Sequence, residues 1–276
     1  MPPPTTPRSV VLNLVRVAER RSVAVRQLLE VGALFGFNTN ATRVAVARLV
    51  ADRLLESDER GSYRLGPAAL VVNEHVEAWR RGESRMRAWR GAWLVAMLPA
   101  SAARSQRRAS CRALSRLGLR EGLAGLWVRP DNLNASLEET GERLRALGLE
   151  PNAELFRASD FCQQLVQRFS TELWPLRRLR ASYDAALRDL ERSLERLPRL
   201  PRDTALVQTF VLGGAAIRVL ATDPLLPEQI LNGATRAELT RQMLRYDAVG
   251  RELWKARARN SSPTSTRSVQ GGARAG

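Results

Sequence analysis

The sequence predicts an α+β protein of several domains: an N-terminal winged helix-turn-helix, a middle ferredoxin-like α/β domain and a C-terminal all-helical domain. Three observations predict this. The segment from Phe37 to Gly66 has the pattern of a capped amphipathic helix followed by a short hairpin, which is the second half of a winged helix-turn-helix. Strand-like and helical patterns alternate between residues 92 and 156, which indicates a small sandwich. After Trp174-Pro175 only helical periodicity remains.

The patterns also set domain boundaries. We expect residues 9–66 to form the winged helix-turn-helix, 67–91 a linker helix with a basic connector, 92–174 the ferredoxin-like domain, 175–256 a helical effector and dimerisation domain, and 257–276 a tail. The tail is rich in Ser, Gly, Arg and Thr, so it is predicted to be disordered. The basic connector is either a solvated linker or an additional phosphate contact.

The DNA-binding prediction rests on the helix expected over residues 40–54. Asn40 is placed at its N-cap, and Leu49, Val50 and Leu54 are placed in the core. The polar side chains that this arrangement leaves for DNA, together with two arginines of the hairpin, are Asn40, Thr42, Arg43, Arg48, Arg60 and Arg64. The alternative for Arg43 is an internal ion pair with an acid such as Glu30.

The middle domain is predicted from three short apolar segments separated by helical patterns. Strands are expected over residues 92–98, 125–130 and 153–156, with helices over 101–117 and 133–147. A β-α-β-α-β order of this length favours a ferredoxin-like sandwich.

The C-terminal domain is predicted to be three long helices, over residues 176–197, 203–221 and 236–255, separated by proline-rich turns. These helices carry more apolar residues than one small bundle needs, which predicts a homodimer that reads an inverted repeat in DNA. The residues concerned are Leu206, Phe210, Ile217, Leu220, Leu239, Leu244 and Leu253.

Charge supports a nucleic-acid partner. The chain carries 44 Lys+Arg against 28 Asp+Glu, a net charge of +16, and a strong positive field attracts phosphate backbones. The charge is segmental: residues 67–130 hold 12 basic and 4 acidic side chains, whereas residues 131–176 hold 4 and 8. An arginine-rich proteome is the alternative explanation, because Lys255 is the only lysine.

The residues that metal sites, disulfide frameworks and common catalytic motifs require are not found in the sequence in the necessary patterns. Cys111 and Cys162 are far apart, without a CxxC, and His75 is the only histidine, so neither a zinc site nor a disulfide framework is expected. His75 reads as part of an exposed helical turn, with a structural or surface role. No catalytic motif is found, so we expect no enzyme activity, no metal and no cofactor.

The N-terminus has no signal-peptide pattern, and the most apolar run, residues 205–221, is interrupted by Gln208 and Arg218. A cytoplasmic protein without a membrane partner is therefore expected.

Three segments in order resemble the PaaX family of bacterial transcriptional regulators, whose namesake represses phenylacetate catabolism. GFNTNATRVAVARLVADRLLE (residues 36–56) is similar to the family's recognition-helix region, and GLWVRPDNL (125–133) to a strand of its middle domain. IRVLATDPLLPEQIL (217–231) carries the Asp-Pro-Leu-Leu-Pro turn. The resemblance covers residues 10–254, which is almost the whole predicted folded chain.

The resemblance implies a homodimeric regulator that responds to an acyl-CoA thioester, typically of an aromatic acid. It implies effector binding near Arg218, Asp223 and Thr235; an Arg218–Asp223 ion pair that holds the turn is the alternative. Where the family tends to carry a histidine, a tyrosine, paired arginines and a tryptophan, this chain has Gly214, Ala216, Ile217 with only Arg218 retained, and Thr235. A larger pocket and a bulkier ligand than phenylacetyl-CoA are therefore expected.

The sequence as a whole predicts a cytoplasmic, dimeric, DNA-binding repressor of a catabolic operon, released by an acyl-CoA or related organic acid. The alternative is a structural or interaction protein on a regulator fold that has lost effector sensing.

Overall fold

The computed structural model describes residues 5–18, 22–58, 61–100 and 103–260. These residues form a mixed α+β architecture in which long helices surround two small antiparallel sheets. The predicted α+β class is confirmed. Residues 261–276 of the predicted tail lie outside the described residues, and the last helix continues to Asn260, past the predicted boundary at residue 256.

The N-terminal quarter of the chain combines three helices with a three-stranded sheet. Its elements are α1 (Pro7–Val17), β1 (Val23–Ala24), α2 (Val25–Leu34), α3 (Thr39–Ala51), β2 (Leu55–Ser57) and β3 (Ser62–Leu65). The strands lie in the order β1-β3-β2, and Leu55 of β2 is opposite Leu65 of β3. Apolar residues of all three helices, among them Val10, Leu28 and Leu49, form one core with the sheet.

A tight backbone contact closes this part of the chain. A Cβ atom on Gly66 would lie 2.4 Å from the carbonyl oxygen of Arg53, so only glycine fits where the chain returns past the end of α3. Helix α4 (Pro67–Glu77) then begins with proline at its first position, as helices often do. A 3₁₀ segment, Ala78–Arg85, follows it.

The middle part has the element order β4 (Trp93–Met97), α5 (Arg104–Arg116), β5 (Arg120–Leu123), β6 (Leu126–Pro130), α6 (Leu137–Ala146) and β7 (Glu154–Ala158). Its four strands lie in the order β5-β6-β4-β7, and every neighbouring pair is antiparallel. Strand β5 was not predicted. The prediction that α6 begins near residue 133 was wrong: Ser136 accepts a bond from the backbone N–H of Glu139 and the Glu139 side chain bonds back, so the helix begins at Leu137.

Both faces of this sheet are covered. On one face, Leu94, Ala96 and Trp127 pack against α5 and α6. On the other face Trp93 is the centre of an aromatic cluster, with Trp174 stacked at 6.5 Å and Phe169 edge-on at 5.5 Å between ring centroids. The core on this second face continues into the C-terminal helices, so the predicted boundary at residues 174/175 falls within one hydrophobic cluster.

The C-terminal part is helical. Its helices are α7 (Gln163–Glu172), which was not predicted, α8 (Leu176–Arg196), α9 (Arg202–Ala221) and α10 (Ala234–Asn260), with a short 3₁₀ turn, Leu197–Arg199, after α8. Within the described part of the chain, α9 is long and apolar enough to cross a membrane by length and composition. It packs against both α8 and α10.

The apolar residues of these helices are used mainly inside the chain. Leu206, Leu220 and Leu239 are at most 1% exposed, so the surplus apolar surface expected for dimerisation is much smaller than predicted. Phe210 of α9 instead packs edge-on against Phe35, with ring centroids 5.0 Å apart, and against Trp254 of α10 at 6.4 Å. The helical part therefore supports the N-terminal part directly.

Candidate nucleic-acid interface and ligand cavity

Helix α3 begins two residues earlier than the predicted N-cap implies. The side-chain oxygen of Asn38 accepts a hydrogen bond of 2.7 Å from the backbone N–H of Ala41, so Asn38 is the N-cap and the assignment of Asn40 to that position was wrong. Asn40 lies in the first turn of the helix and is exposed. Its side chain is therefore free of the capping role and available on the surface.

Thr42 belongs to the buried face of α3, contrary to its assignment as a DNA contact. Its side chain is 1% exposed, and a Cβ atom added at Gly32 of α2 would lie 2.5 Å from its hydroxyl oxygen. The buried residues of the helix are Thr42, Ala45, Val46 and Leu49. Thr42 therefore packs α3 against α2 and is removed from the candidate interface.

The opposite face of α3 is exposed and continuous, because its members recur every three or four residues. They are Asn40, Arg43, Val44, Ala47 and Arg48. The alternative partner for Arg43 is already engaged, since Glu30 pairs with Arg26 at 2.8 Å. Neither Arg43 nor Arg48 forms an ion pair with any residue that the structure describes, so this face presents two uncompensated positive charges.

The hairpin beside α3 carries less free charge. Arg64 on β3 pairs with Glu56 on β2 at 3.0 Å, and Arg60 lies outside the described residues. The backbone N–H of Ser62 donates to the Asp58 carboxylate at 2.8 Å and closes the turn. The hairpin therefore contributes a compensated arginine, and the candidate interface is centred on the helix.

The second candidate site is the turn after α9, where Asp223 has other partners than the predicted Arg218. Asp223 is 6% exposed, accepts from the backbone N–H of Leu225 at 2.6 Å, and also accepts from the hydroxyl of Tyr183. Its cation is Arg236, with Nη1 3.6 Å from the Asp223 carboxylate. The alternative of an Arg218–Asp223 ion pair was therefore wrong.

Arg236, in the first turn of α10, is the central cation at this turn, and no pattern in the sequence indicated it. Its side chain is 3% exposed and binds both carboxylate oxygens of Glu83 at 2.9 Å. Glu83 lies 153 residues away in the sequence, so no local spacing indicates the pair. Burial raises the pKa of the Asp223 carboxyl, while the charge of Arg236 and the Tyr183 hydrogen bond act in the opposite direction.

The two motifs that resembled the PaaX family outside the recognition helix meet at this turn. The amide of Asn132, which is fully buried, donates at 2.8 Å to the carbonyl oxygen of Leu225 within Asp-Pro-Leu-Leu-Pro. Arg129, also buried, donates to Asn132 at 3.0 Å. Asn132 was not among the predicted site residues, although it lies in the quoted GLWVRPDNL segment.

A cavity of about 600 Å³ opens beside the turn, between the 3₁₀ segment after α4, the chain after β6 and the start of α10. The Glu83–Arg236 pair forms part of its wall. The residues that define its shape are Met86, Trp89, Asn132, Pro227, Glu228 and Ala237. Both of its arginines are paired, since Arg87 binds Asp131 at 2.8 Å, so the cavity combines an aromatic ring and apolar surface with balanced charge.

The predicted effector residues are not brought together around this cavity. Arg218 is exposed on α9, and Thr235 is half-buried next to Arg236 without lining the cavity. Ala216 is 1% exposed within the helical core, so its small side chain does not enlarge the cavity. Of the predicted set, the turn itself, through Pro227, reaches the site.

His75 on α4 was expected on an exposed helical turn, and that expectation was wrong. The side chain is partly buried and hydrogen-bonds to the backbone of Ala221. Burial, reinforced by the charges of Arg143, Arg116 and Arg85, lowers the pKa of His75 to about 4. The residue is therefore neutral at pH 7 and joins α4 to the end of α9.

Among solved structures, the chain is similar to the uncharacterized protein Rv0674 from Mycobacterium tuberculosis. The TM-score is 0.56 and the sequence identity 26%, and the match covers 92% of this chain and 98% of that chain. No family model and no curated protein matches the chain. The similarity extends over nearly the full length of both chains, so it concerns the whole arrangement of elements.

Proposed function

We propose that this protein is a DNA-binding transcriptional regulator of the PaaX type. Its main support is the exposed face of α3, where Asn40, Arg43 and Arg48 stand beside the alkyl groups of Val44 and Ala47. Arginine bonds guanine, asparagine bonds adenine, and small alkyl side chains contact the thymine methyl group in the major groove. Because neither arginine is neutralised by a described residue, the face is suited to enter a groove lined with phosphates.

The proposal includes a finer architecture. We assign α2, α3 and the β2–β3 hairpin to a winged helix-turn-helix, which is consistent with their order and with the short connection between the two helices. We assign the middle part to the ferredoxin-like class, supported by its βαββαβ order and the antiparallel arrangement β5-β6-β4-β7. The remaining helices then form the effector and dimerisation domain.

Arg48→Ala is expected to weaken binding to a selected operator by about 1–3 kcal/mol and to relax specificity at one base position, because a bidentate contact to a base would be lost. Binding is measured by fluorescence anisotropy on an operator obtained by selection from random duplexes. Arg26→Ala on α2 is the matched control, since Arg26 is exposed but pairs with Glu30. Unchanged footprints for the double variant Arg43→Ala/Arg48→Ala would contradict the proposed interface.

We place the effector at the cavity beside the Asp-Pro-Leu-Leu-Pro turn. An acyl-CoA or a related organic acid presents an anionic or strongly accepting oxygen, which can compete with Glu83 for the guanidinium of Arg236. Glu83 lies on the segment that follows α4, and α4 continues directly from the hairpin. Exchange of the ion-pair partner would therefore favour a different position of that segment, and differential binding of this kind is what a ligand needs to shift a conformational equilibrium.

Filling the cavity is expected to remove effector binding. Ala237→Trp places a large ring in the space and is expected to weaken the best ligand of a CoA-thioester panel at least tenfold, or by about 1.4 kcal/mol, in a calorimetric titration. Arg218→Ala, which changes the exposed arginine of α9, is expected to bind like the parent. If Arg218→Ala lost binding and Ala237→Trp kept it, the effector site would lie at Arg218 instead. If no thioester bound below millimolar concentration, an interaction protein that senses no effector would be favoured.

We further propose that the protein acts as a cytoplasmic homodimer that represses a catabolic operon through an inverted repeat. The apolar surface for pairing is limited in the described chain, although Leu244 and Val249 on α10 remain 39% and 36% exposed. Sedimentation of the free and DNA-bound protein at micromolar concentration distinguishes a dimer from a monomer.

A further inference from the structure

Helix α5 carries a concentration of positive charge that the proposed α3 interface does not use. Its 13 residues include five arginines and no acidic residue. Arg104, Arg108 and Arg112 are exposed and follow one another at four-residue spacing, so they lie along one side of the helix. We call these three residues the arginine stripe. The opposite side, with Ala113 and Leu114 fully buried, fixes the helix to the sheet.

The arginine stripe does not stabilise its own helix. Like charges four residues apart destabilise a helix, and Arg104 stands at the N-terminal end, where the helix dipole favours negative charge. Within the described part of the chain, no acidic side chain forms an ion pair with any arginine of α5. Helix α8 differs, since it carries four acidic residues beside its six arginines, and Arg192 pairs with Asp189 at 2.6 Å.

The positive field continues beyond the stripe. Arg116 at the end of α5 and Arg143 on the neighbouring helix α6 both act on His75 and favour its neutral form. Arg81, exposed on the 3₁₀ segment after α4, contributes to lowering the pKa of Arg143 by the same like-charge repulsion. Three elements therefore contribute like charges to one region, and such a region attracts polyanions.

We propose that the arginine stripe of α5 is a second contact with the DNA phosphate backbone, outside the bases read by α3. The stripe spans about 12 Å along the helix axis, a length over which a duplex carries about seven phosphate charges. The exposed guanidinium groups bind phosphate and carry no base selectivity. The identity of the partner as duplex DNA rests on the proposed function; the charge arrangement does not.

The test is the salt dependence of binding to a duplex of random sequence. Each phosphate contact contributes roughly 0.9 to the slope of log K against log salt. The triple variant Arg104→Gln/Arg108→Gln/Arg112→Gln is expected to lower that slope by about 2.7, so that from roughly 50 to 200 mM salt the parent loses about 40-fold more affinity than the variant. Glutamine is a good helix former, and circular dichroism melting checks that the variant is folded.

Two matched variants separate the possible outcomes. Arg177→Gln/Arg180→Gln/Arg188→Gln removes three exposed arginines of α8 and is expected to keep the parental slope. An equal loss of slope in both triple variants, or no loss in the α5 variant, would overturn the inference. Preferential competition by double-stranded RNA would also overturn it. If Arg43→Gln/Arg48→Gln keeps sequence preference while the α5 variant loses slope, the proposed α3 interface is wrong and the inference about the arginine stripe holds. If the α3 variant loses sequence preference while the α5 variant keeps the parental slope, only the inference about the arginine stripe is wrong.

Discussion

Asp223→Ala is expected to lower the free energy of unfolding by about 3–5 kcal/mol, because it removes one partner of a buried ion pair. Arg236 would remain in the interior with only Glu83 as a counter-charge. The hydroxyl of Tyr183 and the backbone N–H of Leu225 would each lose their acceptor, and buried donors without acceptors are costly. Denaturant titration of the full chain, followed by far-ultraviolet circular dichroism, measures the loss.

Two comparisons make this expectation specific to the buried pair. Asp223→Asn keeps an oxygen that can accept from Tyr183 and Leu225, so it is expected to cost less than alanine. Arg218→Ala, at the exposed arginine of α9, is expected to change stability by no more than about 0.5 kcal/mol. If Asp223→Ala cost no more than Arg218→Ala, the assignment of Arg236 as the partner of Asp223 would be wrong.

Acidification is expected to destabilise the protein through His75, which is the only histidine in the chain. The folded chain holds the pKa of His75 at about 4, against an ordinary value of 6.5. Between these values the unfolded chain binds a proton that the folded chain does not, so the stabilisation is fully present above pH 6.5 and is lost as the pH falls towards 4. The shift corresponds to a loss of up to about 3 kcal/mol.

The contribution of His75 is isolated by comparison with His75→Gln. Carboxyl groups also titrate over part of this range, so the informative quantity is the difference in unfolding free energy between parent and variant at each pH. That difference is expected to shrink steadily between pH 6.5 and pH 4. A difference independent of pH would show that His75 does not titrate as its burial requires.

Helical periodicity was sufficient to predict α8, α9 and α10 to within a few residues, because long amphipathic patterns average over local exceptions. Strand β5 was missed because its Arg-Glu-Gly-Leu sequence has no apolar run. It pairs with β6 at the edge of the sheet, where apolar residues on one face of the strand are sufficient to hold it in place. Tertiary pairing, rather than residue preference, decides such a strand.

The error at Thr42 has a geometric cause. Placing Val50 in the core together with Leu49 rotated the predicted buried face of α3, whereas Val50 is 36% exposed. Thr42 is seven residues before Leu49, so it lies on the same face two turns earlier. Its hydroxyl donates to the backbone oxygen of Asn38, which satisfies a polar group in an otherwise apolar contact.

The partners of the turn after α9 could not be assigned from sequence for a different reason. A rule of proximity paired Asp223 with Arg218, its nearest preceding arginine. The fold instead brings Arg236 and Glu83 to the turn from opposite directions along the chain. A buried network is fixed by packing between distant elements, and one sequence contains no record of such proximity.

The aromatic contact between the two ends of the chain bears on how the protein matures during synthesis. Phe35 and Phe37 precede α3 directly, and Phe35 is packed by Phe210, which is in turn packed by Trp254. A nascent chain therefore emerges from the ribosome with this corner uncovered, and the corner is completed only when the last helix has been translated. Prematurely terminated chains lack that support, so the segment that leads into α3 is fully packed only in chains that also carry α9 and α10.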